Sequence, residues 1–595
     1  MEKILVFGNE QTRKWSESIN NSQFIQMPVF SLGENGERKL CEFVLNNIGG
    51  SNIKAFIIDV DEISNPEQCL AFAMTIRLSI LDLKSAALAP ILFVSRTTQD
   101  IFKGYKYSPI ILTGSVAFER PDNTNDAIEA MESLTPTEYR TAFLDIIKIL
   151  PSATEGRHSL ANQWGADVLS RIVVGKETNN ELIKKARLSL YFRYVRVLSL
   201  STKDIENIIR GVEASTIPTE LKEIDADGKK ILLIDDEADK GWDDVLRRML
   251  PKSNFKTIQE QVPDYESLTD GAKKEIESGK YDLIFLDLRM NGVVEENTLQ
   301  PNEFSGMKIL KAIKEQNRGN QVIMFTASNK AWNMKAILEA GADGYYIKES
   351  PEFAFPISYS HSNALEFCNS INYCLGNGYL RKIYTKIKKI KQLIKESNCF
   401  EEKTDEILGG IDIAYDMLSK SNINKEYKVY SYLQLFKVIE DYVKNSALFD
   451  NTETDWYLYN GEKRYRVLKD GKKDGKNTKY NSAIILNDTG HFILKQGKYE
   501  CHYIETNYLV SALLIFKFRE ESSGAYQWTK IYKLRNDCAH PNQVHIENID
   551  FHRILEFMLV FFDESKANWR EISDAFPDAT FEDRIASLKE KYNKK

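Results

Sequence analysis

Four short apolar runs between residues 231 and 348 each stop at a polar residue. Ile231-Leu232-Leu233-Ile234 stops at Asp235-Asp236, Leu283-Ile284-Phe285-Leu286 at Asp287, Val322-Ile323-Met324-Phe325 at Thr326, and Tyr345-Tyr346-Ile347 at Lys348. Short apolar runs separated by helical patterns read as buried strands of a parallel α/β sheet. Such sheets bind ligands at the carboxyl ends of their strands, so the polar residues fall where a site belongs. Three carboxylates converging there repel one another unless a divalent cation occupies the middle, and an oxygen-only donor set that keeps waters favours Mg²⁺. Beside that cation, Asp287 has the chemistry of a carboxylate nucleophile toward a phosphoryl donor, with Lys348 and Thr326 binding the phosphoryl oxygens. The alternative is an inert α/β domain whose acids are helix N-caps and solvated loop residues.

The stretches ILLIDDE, IFLDLRM, MFTAS and GADGYYIKE resemble the receiver domain of two-component response regulators over about a fifth of the chain. The resemblance implies Asp287 as phosphoacceptor, Asp236 and Asp287 as direct metal ligands, and Asp235 as a ligand through water. It also implies Thr326 and Lys348 as readers of the phosphoryl group and Tyr345 as the aromatic that swings inward on activation. A Lys-Glu pair stands where the family has Lys-Pro, and the loop after Asp287 is lengthened by Val293 to Glu303.

At 595 residues the chain is too long for one core, and three or four domains are expected. Nothing approaches a membrane span, and Met1-Glu2-Lys3 leads into strand-like Ile4-Leu5-Val6-Phe7 instead of a signal peptide, so a cytoplasmic location is expected. Seven scattered cysteines, with Cys368 and Cys374 inside apolar helix patterns, form neither a disulfide framework nor a zinc spacing. The net charge of -7 hides two basic stretches, Arg381 to Lys395 and Lys463 to Lys479. Each reads either as a nucleic-acid surface or as a solvated helix face and a charged hairpin loop.

The expected architecture is multidomain α/β plus all-α, with two flavodoxin-like, doubly wound parallel sheets. Residues 1–122 repeat the α/β rhythm with strands Lys3-Phe7, Ala55-Ile58, Ile91-Val94 and Ile110-Leu112. Asp59 and Ser95 occupy acceptor and hydroxyl positions, but Gly8-Asn9-Glu10 replaces the acidic pair and no lysine follows the last strand, so this is a degenerate receiver-like domain. Residues 123–215 read as a helical domain with an amphipathic pattern over Glu181 to Leu198. There His158 and Asn162 share a helix face. Their H-x-x-x-N spacing is similar to the phosphoacceptor box of histidine kinases and phosphotransfer proteins; a capping or solvent-facing histidine is the other reading. Residues 228–352 are the receiver, and 360–595 a helical bundle with a small β insertion at about 455–500.

Near the end stands Lys533-Leu534-Arg535-Asn536-Asp537-Cys538-Ala539-His540-Pro541. On an ideal helix Arg535 and His540 point about 140° apart, so a break near Cys538 is expected to bring them to one site. Metal-independent RNA cleavage needs a proton-transfer group of near-neutral pKa and a fixed cation, which histidine and arginine supply. Asn536 can orient the pair through hydrogen bonds. The segment resembles the R-x4-H motif of HEPN domains, helical bundles that often act as ribonucleases in toxin and antiviral systems. The resemblance implies Arg535 as phosphate binder, His540 as acid or base, Asn536 as support, and a site composed across a homodimer with no cofactor of its own. A buried Arg-Asn-His network in a bundle that only binds or dimerises is the alternative.

Together these readings imply a response regulator whose receiver gates a HEPN-type endoribonuclease, in antiviral defence or stress response. Its partners are then a cognate histidine kinase or phosphotransfer protein and an RNA substrate, with no membrane. The competing reading is a non-enzymatic two-component signalling scaffold or phosphoryl buffer.

Overall fold

The computed structural model describes residues 2–30, 34–49, 52–151 except 62 and 64, 157–175, 180–211, 224–291, 295, 300–327, 331–397 except 354, and 400–444. Beyond these it describes 449–451, 456–460, 463–466, 483–486, 492–495, single positions between 506 and 514, 523–540 and 544–563. They form two compact units, Met1–Ile313 with Gln321–Gly376, and Lys314–Asn320 with Asn377–Lys595.

The first unit holds two parallel five-stranded sheets of one topology. In the first, β1 (Lys3–Gly8), β2 (Ser22–Gln26), β3 (Ile53–Asp59), β4 (Ile91–Val94) and β5 (Val116–Glu119) lie in the order β2-β1-β3-β4-β5. In the second, β6 (Lys230–Ile234), β7 (Asn254–Ile258), β8 (Leu283–Asp287), β9 (Val322–Thr326) and β10 (Gly344–Ile347) lie in the order β10-β9-β8-β6-β7. Strands β4, β8 and β9 are buried at every position, as continuous apolar runs must be when helices cover both faces. This is the doubly wound fold expected from the apolar runs.

One expected strand is corrected. Ile110-Leu112 lies in a 3₁₀ turn, Ser108–Leu112, because Pro109 has no N–H to give a ladder; the last strand is Val116–Glu119. The half-buried edge strands β2 and β7 have no apolar run to betray them.

The described residues of the expected helical domain, 123–215, share their core with the two sheets. Leu190, Val197, Leu200 and Ile205 join the core of the first sheet. Leu160, Trp164, Phe192 and Val195 join that of the second. The amphipathic stretch from Glu181 breaks into Glu181–Arg187 and Leu190–Leu198, since the Ser189 hydroxyl caps the second helix by accepting from Phe192 N–H at 3.3 Å. Arg193 Nη1 ties this layer to the first sheet's helices, donating to Ser79 Oγ at 3.0 Å and Asp82 Oδ2 at 2.8 Å. The boundary near 352–360 also moves. Helix Ile357–Asn377 buries Phe367, Cys368 and Ile371 against Phe285 and Phe325, so it completes the second α/β layer.

The second unit has one core, built from helices Tyr379–Ser397, Thr404–Ser419, Glu426–Lys444, Ser523–Ala539 and Asn548–Phe562. The basic helix Tyr379–Ser397 buries Leu380, Ile383, Ile387, Ile390 and Ile394 on one face. Two of its cations are engaged within the bundle, Lys386 with Glu556 and Lys391 with Asp412, each at 2.6 Å. Asn317 Nδ2 donates to Arg381 O at 3.0 Å, and the Arg318 guanidinium pairs with Asp416 at 2.5 Å. The β insertion is two antiparallel pieces, β11-β12-β13 (Phe449–Asn451, Trp456–Asn460, Lys463–Arg466) and β14-β15 (Ala483–Leu486, Phe492–Lys495). Most of the Lys463 to Lys479 segment lies outside the described residues.

Arg77 is fully buried and closes three carbonyls, donating from Nη1 to Ala87 O and Ala89 O at 2.7 Å and from Nη2 to Ser115 O at 2.9 Å. Arg77→Met strands all three acceptors and is expected to destabilise the first unit by at least about 3 kcal/mol, read by denaturant unfolding. A loss under about 1 kcal/mol would show that the staple carries little.

Candidate functional site

The ends of β6, β8, β9 and β10 bring together Asp235, Asp236, Asp287, Thr326 and Lys348. Lys348 N–H donates to Thr326 O at 2.7 Å, continuing the ladder one step past β10. Its Nζ donates to Asp287 Oδ1 at 2.6 Å and to Asp235 Oδ2 at 2.9 Å. The ammonium also lies 5.2 Å from the ring centroid of Trp242 and 5.6 Å from that of Phe325. All three charged side chains of this triad are buried. Burial alone would lower the Lys348 pKa, but the two aspartates outweigh it and hold the ammonium above the usual lysine range.

One positive charge cannot balance three carboxylates. Burial, reinforced by the charges of Asp287, Asp235 and Glu237, pushes Asp236 up to about 8. Burial pushes Asp235 up to about 6 against the pull of Lys348. Among the described residues no three carboxylate, imidazole or thiol groups already surround one point, because Lys348 holds Asp235 and Asp287 to itself. The donor set nevertheless fits a hard divalent cation: it is all oxygen, and Asp236 Oδ1 is buried without a hydrogen-bond partner among the described residues.

Backbone donors fix the carboxylates. Glu237 N–H donates to Asp235 Oδ1 and Arg289 N–H to Asp287 Oδ2, both at 2.9 Å. A Cβ on Gly306 would overlap the Asp287 carbonyl oxygen, so only glycine lets helix Ser305–Gln316 start this close. Within the lengthened loop, Glu295 turns back to accept from Ser305 N–H at 2.5 Å and Ser305 Oγ at 3.0 Å.

Glu237 was unremarked in the sequence, yet its carboxylate accepts from Ser159 Oγ and Asn162 Nδ2, both at 2.6 Å. Asn162 Oδ1 in turn accepts from Trp242 Nε1 at 2.8 Å. Asn162 is therefore a buried docking residue that clamps helix Arg157–Leu169 to the site's acidic loop. His158 falls in the first turn of that helix, and its side chain lies outside the described residues. Tyr345 is half-buried; its neighbour Tyr346 points the other way and is buried 4.3 Å, ring to ring, from Phe367.

The first sheet repeats the geometry without the chemistry. Asp59 pairs with Val94 and Val94 with Glu119, as Asp287 pairs with Phe325 and Phe325 with Tyr346. This register sets Ser95 at the place of Thr326 and Pro121 at the place of Lys348. Phe7 beside Ile58 matches Ile234 beside Leu286, so Gly8-Asn9 stands for Asp235-Asp236. Asp59 Oδ2 instead accepts from Thr12 Oγ1 at 2.8 Å and Trp15 Nε1 at 3.2 Å. A Cβ on Gly8 would overlap the Thr12 side chain, so the plug and the missing acid depend on each other.

The response regulator receiver domain family matches residues 231–353, and the inactive receiver domain family matches residues 1–119. Residues 231–353 are a receiver domain. The amino-terminal domain is an inactive receiver, and the Thr12-Trp15 plug on Asp59 gives that inactivity a physical cause. The nitrate/nitrite response regulator protein homolog of Haemophilus influenzae is 29% identical over 129 residues, covering 21% of this chain and 51% of that protein. The chain thus spans about half the length of this curated relative. Two solved structures described as two-component system response regulator/GGDEF domain proteins align with 62% of this chain and all of theirs, at 10% identity and TM-scores of 0.16 and 0.17. No helix among the described residues is long and apolar enough to cross a membrane.

The carboxy-terminal motif is arranged differently from expectation. Helix Ser523–Ala539 runs unbroken through Cys538, which is buried in the bundle core, so the break comes at His540 instead. Arg535 is half-buried over the Phe436 ring, with Nη1 donating to Asn536 Oδ1 at 3.1 Å and Nη2 3.7 Å from Glu440 Oε1. His540 is exposed in the turn that follows.

The raised pKa values give the receiver a pH signature. In the folded, cation-free protein Asp236 keeps its proton up to about pH 8, whereas the unfolded chain loses it near 3.8, so stability falls as pH rises through that window. In EDTA, Asp236→Asn is expected to abolish most of this decline and to exceed wild type in melting temperature at pH 8. Parallel pH profiles for the two proteins would contradict the crowded-carboxylate picture.

Proposed function

We propose that this chain is a phosphorylation-controlled response regulator, with Asp287 as phosphoacceptor and the carboxy-terminal unit as its output. The observation that carries the reading is the Lys348 ammonium held between Asp287 and Asp235 at the carboxyl edge of the sheet. Asp235, Asp236 and Asp287 are the residues that would hold Mg²⁺, which supplies charge neutralisation for the incoming phosphoryl group. An Asp287 oxygen forms the new O–P bond while the donor's P–N bond breaks and a phosphohistidine imidazole of a kinase or phosphotransfer partner leaves. Lys348 then exchanges a carboxylate for a phosphoryl oxygen, Thr326 turns its hydroxyl to another, and Tyr345 fills the space so opened.

The output is a HEPN-type endoribonuclease, with Arg535 binding the scissile phosphate, His540 moving the proton and Asn536 orienting Arg535. The ribose 2′-hydroxyl is the nucleophile, and a homodimer composes the site. The R-N-x-x-A-H spacing, the all-helical surroundings and the exposure of His540 support this reading. Control of RNA in antiviral defence or stress, in the cytoplasm, follows from pairing such an output with a receiver. The contacts of Arg535 with Glu440 and Phe436 favour a second reading, in which the motif is structural and the bundle a docking scaffold.

Incubating wild type and His540→Ala with total RNA, with and without acetyl phosphate, separates them. The nuclease reading expects cleavage by wild type that responds to phosphodonor and falls about 10²-fold or more in His540→Ala. Equal RNA integrity in every lane, with Asp287 phosphorylation verified, leaves the scaffold.

A further inference from the structure

Helix Arg157–Leu169 lies outside the receiver match at 231–353, yet it meets the phosphoryl site at three places. Ser159 Oγ and Asn162 Nδ2 donate to the carboxylate of Glu237, the residue that follows the acidic pair. Asn162 Oδ1 accepts from Nε1 of Trp242, the ring beside Lys348. Gly165 closes on both Trp242 and the chain just past Lys348. A Cβ there would lie 3.1 Å from Trp242 Cζ2 and from Glu349 O, so the missing side chain lets the helix sit this close.

Asn162 joins the two halves of the site. On one side, Glu237 N–H holds Asp235 Oδ1 at 2.9 Å, so what fixes Glu237 also fixes an acid of the cation set. On the other, Trp242 is fully buried, packs ring to ring on Phe325 at 5.3 Å and on Tyr346 at 5.9 Å, and lies 5.2 Å from Lys348 Nζ. A ring so confined sets where the ammonium rests, and the bond to Asn162 fixes its tilt. An ionised carboxylate only accepts and an indole only donates, so the group between them must do both, as an amide does. Groups that orient metal ligands from behind change metal affinity or activity about 10–100-fold when removed.

We propose that Asn162 is a positioning residue for phosphoryl transfer to Asp287, through which the helical layer holds the acid pair and Lys348 in reactive geometry. This rests on the reading of Asp287 as phosphoacceptor. Full-length wild type and Asn162→Leu should be titrated calorimetrically with Mg²⁺. Their phosphorylation by acetyl phosphate, in which an Asp287 oxygen takes the phosphoryl group and acetate leaves, should be timed at saturating Mg²⁺. Asn162→Leu keeps the side chain's size without its hydrogen bonds, and is expected to weaken Mg²⁺ binding and to slow phosphorylation about tenfold each. Trp242→Phe keeps a ring beside Lys348 but no N–H, and is expected to slow phosphorylation more than it weakens Mg²⁺ binding. Ser159→Ala removes one donor from Glu237; it is expected to weaken Mg²⁺ binding about threefold, and serves if Asn162→Leu fails to fold. A residue that only braces the fold would lower the melting temperature and nothing else. Wild-type Mg²⁺ affinity and phosphorylation rate in folded Asn162→Leu therefore overturn the proposal. An unphosphorylated wild type contradicts the Asp287 reading instead, and the Mg²⁺ titration then decides by itself whether Asn162 holds the acid pair.

Discussion

The Lys348 ammonium, buried between Asp235 and Asp287, is the constraint on which the receiver depends. A buried lysine is tolerable only when fully paired, and its two partners come from strand ends that meet only when the β8-β6 pairing and the β10-β9 crossover are both in register. The same pairing leaves Asp236 crowded, its Oδ1 without a hydrogen-bond partner among the described residues. The site therefore gathers more carboxylates than its one buried ammonium balances.

The two sheets make a natural comparison. Equivalent strand-end positions carry Asp-Asp, Asp, Thr and Lys in the receiver, and Gly-Asn, Asp, Ser and Pro in the amino-terminal domain. With the acids and lysine gone, the remaining Asp59 carboxylate accepts hydrogen bonds from Thr12 and Trp15, on the helix that follows β1. The topology survives because it rests on apolar strands, which the loss of a polar site leaves untouched. A further layer of helices links both sheets, gripping the first through Arg193 and the second through Ser159 and Asn162 on Glu237.

Much of this was legible in the sequence, for definable reasons. Buried central strands announce themselves as apolar runs, and their terminal polar residues locate the site. Half-buried edge strands such as Ser22–Gln26 leave no such mark. The Pro109 turn resembled a strand because Ile110-Ile111-Leu112 is apolar, although the proline's missing N–H argued otherwise. The contacts of Asn162 and the surroundings of Glu349 are not legible in the sequence because they involve partners distant along the chain. Asn162 meets Trp242 eighty residues away, and Glu349 lines a cavity built from several helices. Likewise, local spacing around Arg535 and His540 gave no hint of Glu440 and Phe436, which come from another helix.

The central claim is that Asp287 accepts a phosphoryl group. Intact-protein mass spectrometry after incubation with acetyl phosphate and Mg²⁺ tests it directly, with Asp287→Asn alongside. The account requires a gain of one phosphoryl mass in wild type, lost in EDTA, replaced by the smaller hydroxamate gain when hydroxylamine displaces the phosphate, and absent from Asp287→Asn. An unmodified wild type, or the same gain in both proteins, contradicts it.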